Sequence, residues 1–169
     1  MNNIMFDLET LGLNDDAAIL SIGAVKFDHN YITDEFYVKI SLESSLLANL
    51  SVDASTIKFW LSQPSAARNE AFSGTEPLHM ALLSLIHWAD FDNIDEVWTN
   101  GNKDIIWLKS AMSATGVNPK EPWLFWKERD FRTAKSLLPN VTITDEPVAH
   151  HALHDARWQA RYLIKALNQ

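Results

Sequence analysis

Asn3-Ile4-Met5-Phe6-Asp7-Leu8-Glu9-Thr10-Leu11-Gly12, an apolar run that closes on two carboxylates before a glycine, decides how the rest of the chain is read. Residues 4–7 read as a strand with a buried character. An isolated carboxylate is costly to desolvate, so acids at the end of such a run either face water or gather round a cation. Asp7 and Glu9 stand two apart, so on an extended chain their side chains leave the same face and can grip one cation or bridge two. Exposed acids at a strand end fit the same two residues taken alone, and the remainder of the chain has to separate the readings.

Two further strands follow, at residues 18–27 and 35–40, with Asn14-Asp15-Asp16 and Asp28-His29-Asn30 as turn signals. That predicts an antiparallel three-stranded meander. Residues 41–51 form a polar connection. Asp53 then caps a helix carrying Ile57, Trp60 and Leu61 on one face, and Thr75-Glu76-Pro77 opens another through Met80, Leu83 and Trp88. Residues 96–100 read as a fourth strand, followed by a helix over 104–114 that ends at Gly116 with Pro119 beyond. A strand feeding a helix delivers Asn100 and Asp104 to the carboxyl edge of a sheet, where open α/β sheets bind ligands. An extended stretch at 123–126 leads to a helix over 129–138, and a last helix runs over 152–167.

With 169 residues and no internal repeat or linker, the chain is expected to form a single domain over 1–169. It has no cysteine, which excludes disulfides and thiolate metal sites and leaves oxygen and nitrogen as ligands. No signal pattern opens it and no apolar window reaches bilayer length, so the cytoplasm is the expected compartment and no membrane partner is expected. A net charge of −8 argues against a broad basic nucleic-acid surface. The acidity is uneven: residues 1–84 hold four basic against eleven acidic residues, and residues 85–169 hold ten against eleven. A local basic patch therefore remains open to the second half, where Lys127, Arg129, Arg132 and Lys135 lie close together. Neither a phosphate-cradling glycine-rich loop nor a nucleophilic serine or cysteine triad is present.

Four stretches carry suggestive chemistry: Asp7-Leu8-Glu9-Thr10, residues 100–104 (NGNKD), residues 129–133 (RDFRT) and residues 150–155 (HHALHD). Their order and content resemble the DEDDh group of 3′-to-5′ exonucleases, with FDLETLG, AAILSIGAVKF, STIKFWLSQ, FWKERDFRT and VAHHALHDA carrying the likeness to phage-type exonucleases and bacterial exoribonuclease-like relatives. The first motif maps to Asp7, Glu9 and Thr10, and the last to His150, Ala152 and Asp155. The middle motif departs from the pattern: Asp104 follows Asn100 by four residues rather than five, and Lys103 stands in place of an aromatic. Asp104 also has an ordinary role open to it as a helix cap.

The resemblance implies an α/β, RNase H-like fold, a central mixed β-sheet flanked by helices, with the fourth strand beside the first. It implies that Asp7, Glu9, Asp104 and Asp155 hold two Mg²⁺ or Mn²⁺ ions, and that a histidine takes the proton of the attacking water. Helical spacing alone selects His151, one turn before Asp155, whereas the resemblance selects His150 on the preceding loop. Thr10 and Leu11 occupy the places that seat the terminal nucleotide, with Asn100 nearby. Trp126, beside Lys127 and Arg129, is a candidate for base stacking, while Trp60, Trp88 and Trp107 read as core. The implied activity releases 5′-mononucleotides from single-stranded 3′ ends, RNA ahead of DNA. An exodeoxyribonuclease and a catalytically silent binding module on the same fold are the alternatives. Homodimers occur among such relatives, which makes a second copy a candidate partner.

Overall fold

The structure, a computed structural model, describes residues 2–117, 122–144 and 150–169. Its strands are β1 (Asn3–Thr10), β2 (Ile19–Phe27), β3 (Ile32–Lys39), β4 (Glu96–Thr99) and β5 (Glu128–Asp130). Its helices are α1 (Leu42–Leu47), α2 (Ala54–Ser62), α3 (Ser65–Phe72), α4 (Leu78–Ala89), α5 (Lys103–Thr115), α6 (Phe131–Leu137) and α7 (Ala152–Leu167). The strands form one sheet in the order β3-β2-β1-β4-β5. The expected meander is antiparallel throughout, and β4 lies parallel to β1 with Ile4 opposite Val97 and Phe6 opposite Thr99. A mixed sheet flanked by helices is thus the observed architecture.

Alternation along β1 sets the positions of the site. Ile4, Phe6 and Leu8 enter one core beneath α4 and α5, and Met5 enters the other beneath α7. By the strand's period of two, Asp7 and Glu9 continue the Met5 face, so the helix that covers that face has to meet them. Helix α7 approaches through small residues, since Ala152, Ala156 and Ala160 are fully buried on one stripe. On the sheet side Gly23, opposite Asp7 in the β1–β2 ladder, leaves the space that the first turn of α7 fills. A Cβ there would lie 2.1 Å from the Leu153 nitrogen and 2.2 Å from the Ala152 carbonyl carbon.

Several expectations are corrected. Residues 41–51 are not merely a connection: Ser41 caps α1 by accepting from the Ser44 amide. Asp53 caps α2 as expected, but of its expected face only Trp60 is buried, while Ile57 and Leu61 are exposed. In α4 the buried stripe is Leu78, Ala81, Leu82, Leu85 and Ala89, leaving Met80 and Leu83 in solvent. Trp88 is only partly buried, packing on Phe36 with Lys26 over its ring. The fifth strand falls at Glu128–Asp130 rather than at 123–126, and α6 begins at Phe131, two residues after the expected start, capped by Asp130. Gly116 ends α5 in the left-handed conformation, φ 67°, as glycine permits. Pro119, Val148 and Ala149 lie outside the described residues.

Candidate active site

Three elements converge on the carboxyl end of β1. The strand supplies Asp7 and Glu9, α7 supplies Asp155, and α5 supplies Asp104. One carboxylate oxygen from each of Asp7, Glu9 and Asp155 lies within 4.8 Å of the others. Asp104 stands beside this trio, its Oδ1 accepting from the Leu8 amide at 3.1 Å. The β1–β4 ladder ends at Phe6 opposite Thr99, so the next amide toward α5 needs another acceptor, and Asp104 provides it. The alternative role as helix cap is not the one observed, because Asn102 occupies the N-cap position and Asp104 sits in the first turn.

Gathering these acids under a helix raises their pKa values. Burial is the leading cause for Asp7, held well above the usual carboxylate range, followed by repulsion from Asp104, Glu9 and Asp155. Glu9 is pushed up to about 8 by burial and by Asp155 and Asp104. Burial takes Asp104 to about 7, against the Leu8 hydrogen bond and the nearby Arg132 charge. Asp155 is also raised, chiefly by burial, with His150 acting the other way. Among the described residues no lysine or arginine closes an ion pair with the trio. Among the described residues, the side-chain donor to the trio is Gln159, whose Nε2 gives Asp7 Oδ1 a hydrogen bond at 3.1 Å. Clustered carboxylates with raised affinity for positive charge and few donors form an oxygen-rich site fit for a hard divalent cation.

Two pockets meet at Glu9 and His150. One, about 370 Å³, is walled by Leu8, Thr10, Leu13, Phe59, Trp60 and Trp107. The other, about 820 Å³, holds Asp7, Asp155 and Gln159 together with Asn100, Arg132 and Trp158. His150 stands between them in the left-handed conformation, φ 60°, its ring edge-on to Phe59 at 4.9 Å. His151 turns away: it stacks on Tyr37 at 4.5 Å and on His154 at 4.1 Å, and its Nε2 lies 3.8 Å from Glu70. It is the N-cap of α7 with φ −130°, so helical spacing does not apply to it.

Of the remaining expected site residues, Thr10 and Asn100 line these pockets and two others do not reach them. Leu11 is 3% exposed, packs in the core, donates its amide to Ala18 and accepts from Asp53. Its side chain has no free face for a base; Leu13, 62% exposed on the pocket wall, has one. Trp126 is exposed, but it precedes β5, whose Glu128 is level with Val97 and hence with Ile4. That puts it at the opposite end of the parallel strands from Glu9, and the fold does not bring it to the site. Sequence reasoning missed Gln159, Phe59 and Leu13. Gln159 carried a legible signal, since it falls one turn after Asp155 on the same helical face.

A family model described as 3′-5′ exoribonuclease Rv2179c-like domain matches residues 2–167. The chain belongs to this exonuclease family. Family membership agrees with the superfamily that the motifs resemble, and makes the chain a 3′-to-5′ exonuclease. An exodeoxyribonuclease of Enterobacteria phage T4 is 25% identical over 194 aligned positions, covering 92% of this chain and 84% of the phage protein. Among solved structures, E. coli Exonuclease I in complex with a dT13 oligonucleotide matches with TM-score 0.63 at 10% identity, over 99% of this chain and 42% of that one. An apo Exonuclease I structure matches with TM-score 0.54 at 10% identity, over 98% of this chain and 36% of the other. This chain thus spans about two fifths of those structures, and the likeness establishes the RNase H-like fold.

Proposed function

We propose that the family activity is exercised here as metal-dependent removal of 5′-mononucleotides from single-stranded 3′ ends, with RNA preferred over DNA. The observation that carries it is the trio Asp7, Glu9 and Asp155, oxygens within 4.8 Å, set where two pockets meet beside His150. Asp7, Glu9 and Asp155, with Asp104 beside them, would hold two Mg²⁺ or Mn²⁺ ions. Bound there, such ions supply the positive charge that lowers the pKa of an attacking water and offsets charge on the leaving 3′ oxygen.

The chain's own residues do the rest. His150, on the rim shared by both pockets, takes the proton of the attacking water. Gln159 fixes the Asp7 carboxylate by donating to Oδ1. The smaller pocket seats the terminal nucleoside, Leu13 and Phe59 bounding the base and Thr10 the sugar side, while the larger one accepts the continuing strand past Asn100. Thr10 is fixed for this by two hydrogen bonds, its hydroxyl donating to Gly12 O at 2.9 Å and its carbonyl accepting from Trp60 Nε1 at 3.0 Å. A terminal nucleoside enclosed in this way leaves no route for a strand beyond the 3′ end, and polarity follows.

The family description supports RNA, while the phage relative is named for DNA. Among the described residues no helix is long and apolar enough to cross a membrane, and the reading sets the protein in the cytoplasm as one catalytic domain, alone or paired with a second copy. The test is a gel with 5′-labelled RNA and DNA oligomers, each with free or blocked 3′ ends, in Mg²⁺ and in chelator. Shortening of free ends in Mg²⁺ alone, faster on RNA, is expected. Full activity in chelator, or equal cutting of blocked ends, would overturn the mechanism, and faster cutting of DNA would reverse the sugar assignment.

A further inference from the structure

Four basic residues crowd together between positions 127 and 135, and the fold sends them in different directions. Lys127 Nζ donates to the Ile94 carbonyl at 2.5 Å, away from the site. Arg129 pairs with Glu96 at 3.0 Å. Lys135 lies over the rings of Trp158 and Tyr162 at 4.9 and 5.1 Å. Arg132 alone of the four lines the pocket that holds Asp7, Glu9 and Asp155.

Its placement is built. Asp130 caps α6 by accepting from the Arg132 amide at 3.0 Å, and the same oxygen accepts from the Gly101 amide at 3.0 Å. That one carboxylate ties the loop after β4 to the start of α6. Gly101, with φ 95°, takes a backbone conformation at this turn that other residues rarely adopt. Arg132 Nε donates to Asn100 Oδ1 at 3.1 Å. Among the described residues no carboxylate closes an ion pair with it, which leaves the outer fork of the guanidinium to an anion from solution.

The position along the substrate follows from the two pockets. The scissile phosphate meets the carboxylate trio at the rim, with the terminal nucleoside in the smaller pocket. The leaving strand then crosses the larger pocket, whose lining includes Asn100, Arg132 and Trp158. We propose that Arg132 grips the backbone phosphate immediately 5′ of the scissile one, so that the enzyme reads a second phosphodiester and favours substrates of three or more nucleotides. This inference rests on the reading of the site given above. A planar fork suits it, because guanidinium binds two phosphate oxygens at once and a lysine does not.

The test is a cycle of four reactions: wild type and Arg132→Ala, each on a trinucleotide with natural linkages and on one carrying an uncharged methylphosphonate at the linkage 5′ of the scissile bond. Wild-type turnover of a dinucleotide in Mg²⁺ is the reference, because its only phosphodiester is the scissile one. Removing either partner should raise KM about tenfold to a hundredfold, the range for a charged hydrogen bond, and removing both should cost no more than removing one. Arg132→Lys should recover part of the KM loss. The dinucleotide should lose at least tenfold less than the trinucleotide on Arg132→Ala. Additive losses, or equal losses on the two lengths, would overturn the assignment while wild-type turnover of the natural trinucleotide upheld the site; absence of that turnover in Mg²⁺ would overturn the reading of the site itself.

Discussion

Gly23→Ala deletes neither a carboxylate nor His150 and still should disable the enzyme. The new Cβ would meet the Leu153 nitrogen at 2.1 Å and the Leu153 Cα at 2.5 Å, both backbone atoms that no rotamer change can move. Ordinary contact begins near 3.4 Å, so the first turn of α7 has to retreat by about 1.3 Å from β2. Asp155 rides on that turn, two residues beyond Leu153, and its distance from Asp7 and Glu9 changes by a similar amount. Misplacement of a reacting group by about 1 Å can cost about a hundredfold in rate. Overpacking of this kind costs about 1 to 3 kcal/mol, which for a chain of this size is a fall in Tm of about 2 to 12 °C. The measurements are kcat on a labelled oligonucleotide at a temperature well below the variant's Tm, and Tm with and without Mg²⁺. Expected are a kcat reduced about a hundredfold and a Mg²⁺-induced rise in Tm smaller than in wild type. A variant with wild-type kcat and a wild-type Mg²⁺ response would show that the approach of α7 to β2 does not set the site.

Stability without metal should fall as pH rises. Glu9 holds its proton up to about 8 in the folded chain, against an ordinary value of 4.5, and Asp104 up to about 7, so between those limits the native state binds more protons than the unfolded one. Each proton so retained lowers unfolding free energy by about 1.4 kcal/mol per pH unit. The lowered pKa of His151 acts with the opposite sign near and below its ordinary value of 6.5, so the window to scan is pH 6.5 to 8. In chelator Tm should drop across it, Mg²⁺ should flatten the slope, and Glu9→Gln should reduce it; a Tm that rises in chelator refutes the burial account. For the proton acceptor, His150→Ala should lower kcat by orders of magnitude. His151→Ala should keep kcat and lower Tm through loss of its stacking on Tyr37 and His154, and the reverse pattern would move the role to His151.

The parts of the fold legible in sequence are those in which one residue's chemistry dominates its position. The run ending at Asp7 and Glu9, the Asp53 cap and the left-handed Gly116 are of this kind. Helix α4 is apolar nearly all round, so several phases of a 3.6-residue period fit it. Hydropathy favours Met80 and Leu83, yet close packing selects the stripe through Ala81 and Ala89. Gly23 and the alanines of α7 position Asp155 by the side-chain volume they lack, which no scale of apolarity registers. Leu11 turns into the core and Leu13, for which nothing was expected, reaches the pocket, because the β1–β2 register shifts between Glu9 and Thr10 and past that irregularity a period of two no longer assigns faces.

The proposed catalytic centre is legible for a different reason: its residues break local rules, and the breaks agree with one another. A buried strand should not end in acids, and burial pushes Asp7 and Glu9 far above the carboxylate range. The buried face of an amphipathic helix should not carry an amide, yet Gln159 is 3% exposed, with Nε2 spent on Asp7 and Oε1 without a partner among the described residues. Each break costs stability on its own. Helical spacing places Gln159 on the face of Asp155, and the Gly23 contact lays that face against Asp7, so the separate costs fall at one point. Stability sacrificed at one point by β1, α5 and α7 together is the mark of a site rather than of chance polarity. Arg132 extends the argument outward: of the four clustered cations, the informative one is the one whose charge the folded chain leaves open beside the acids.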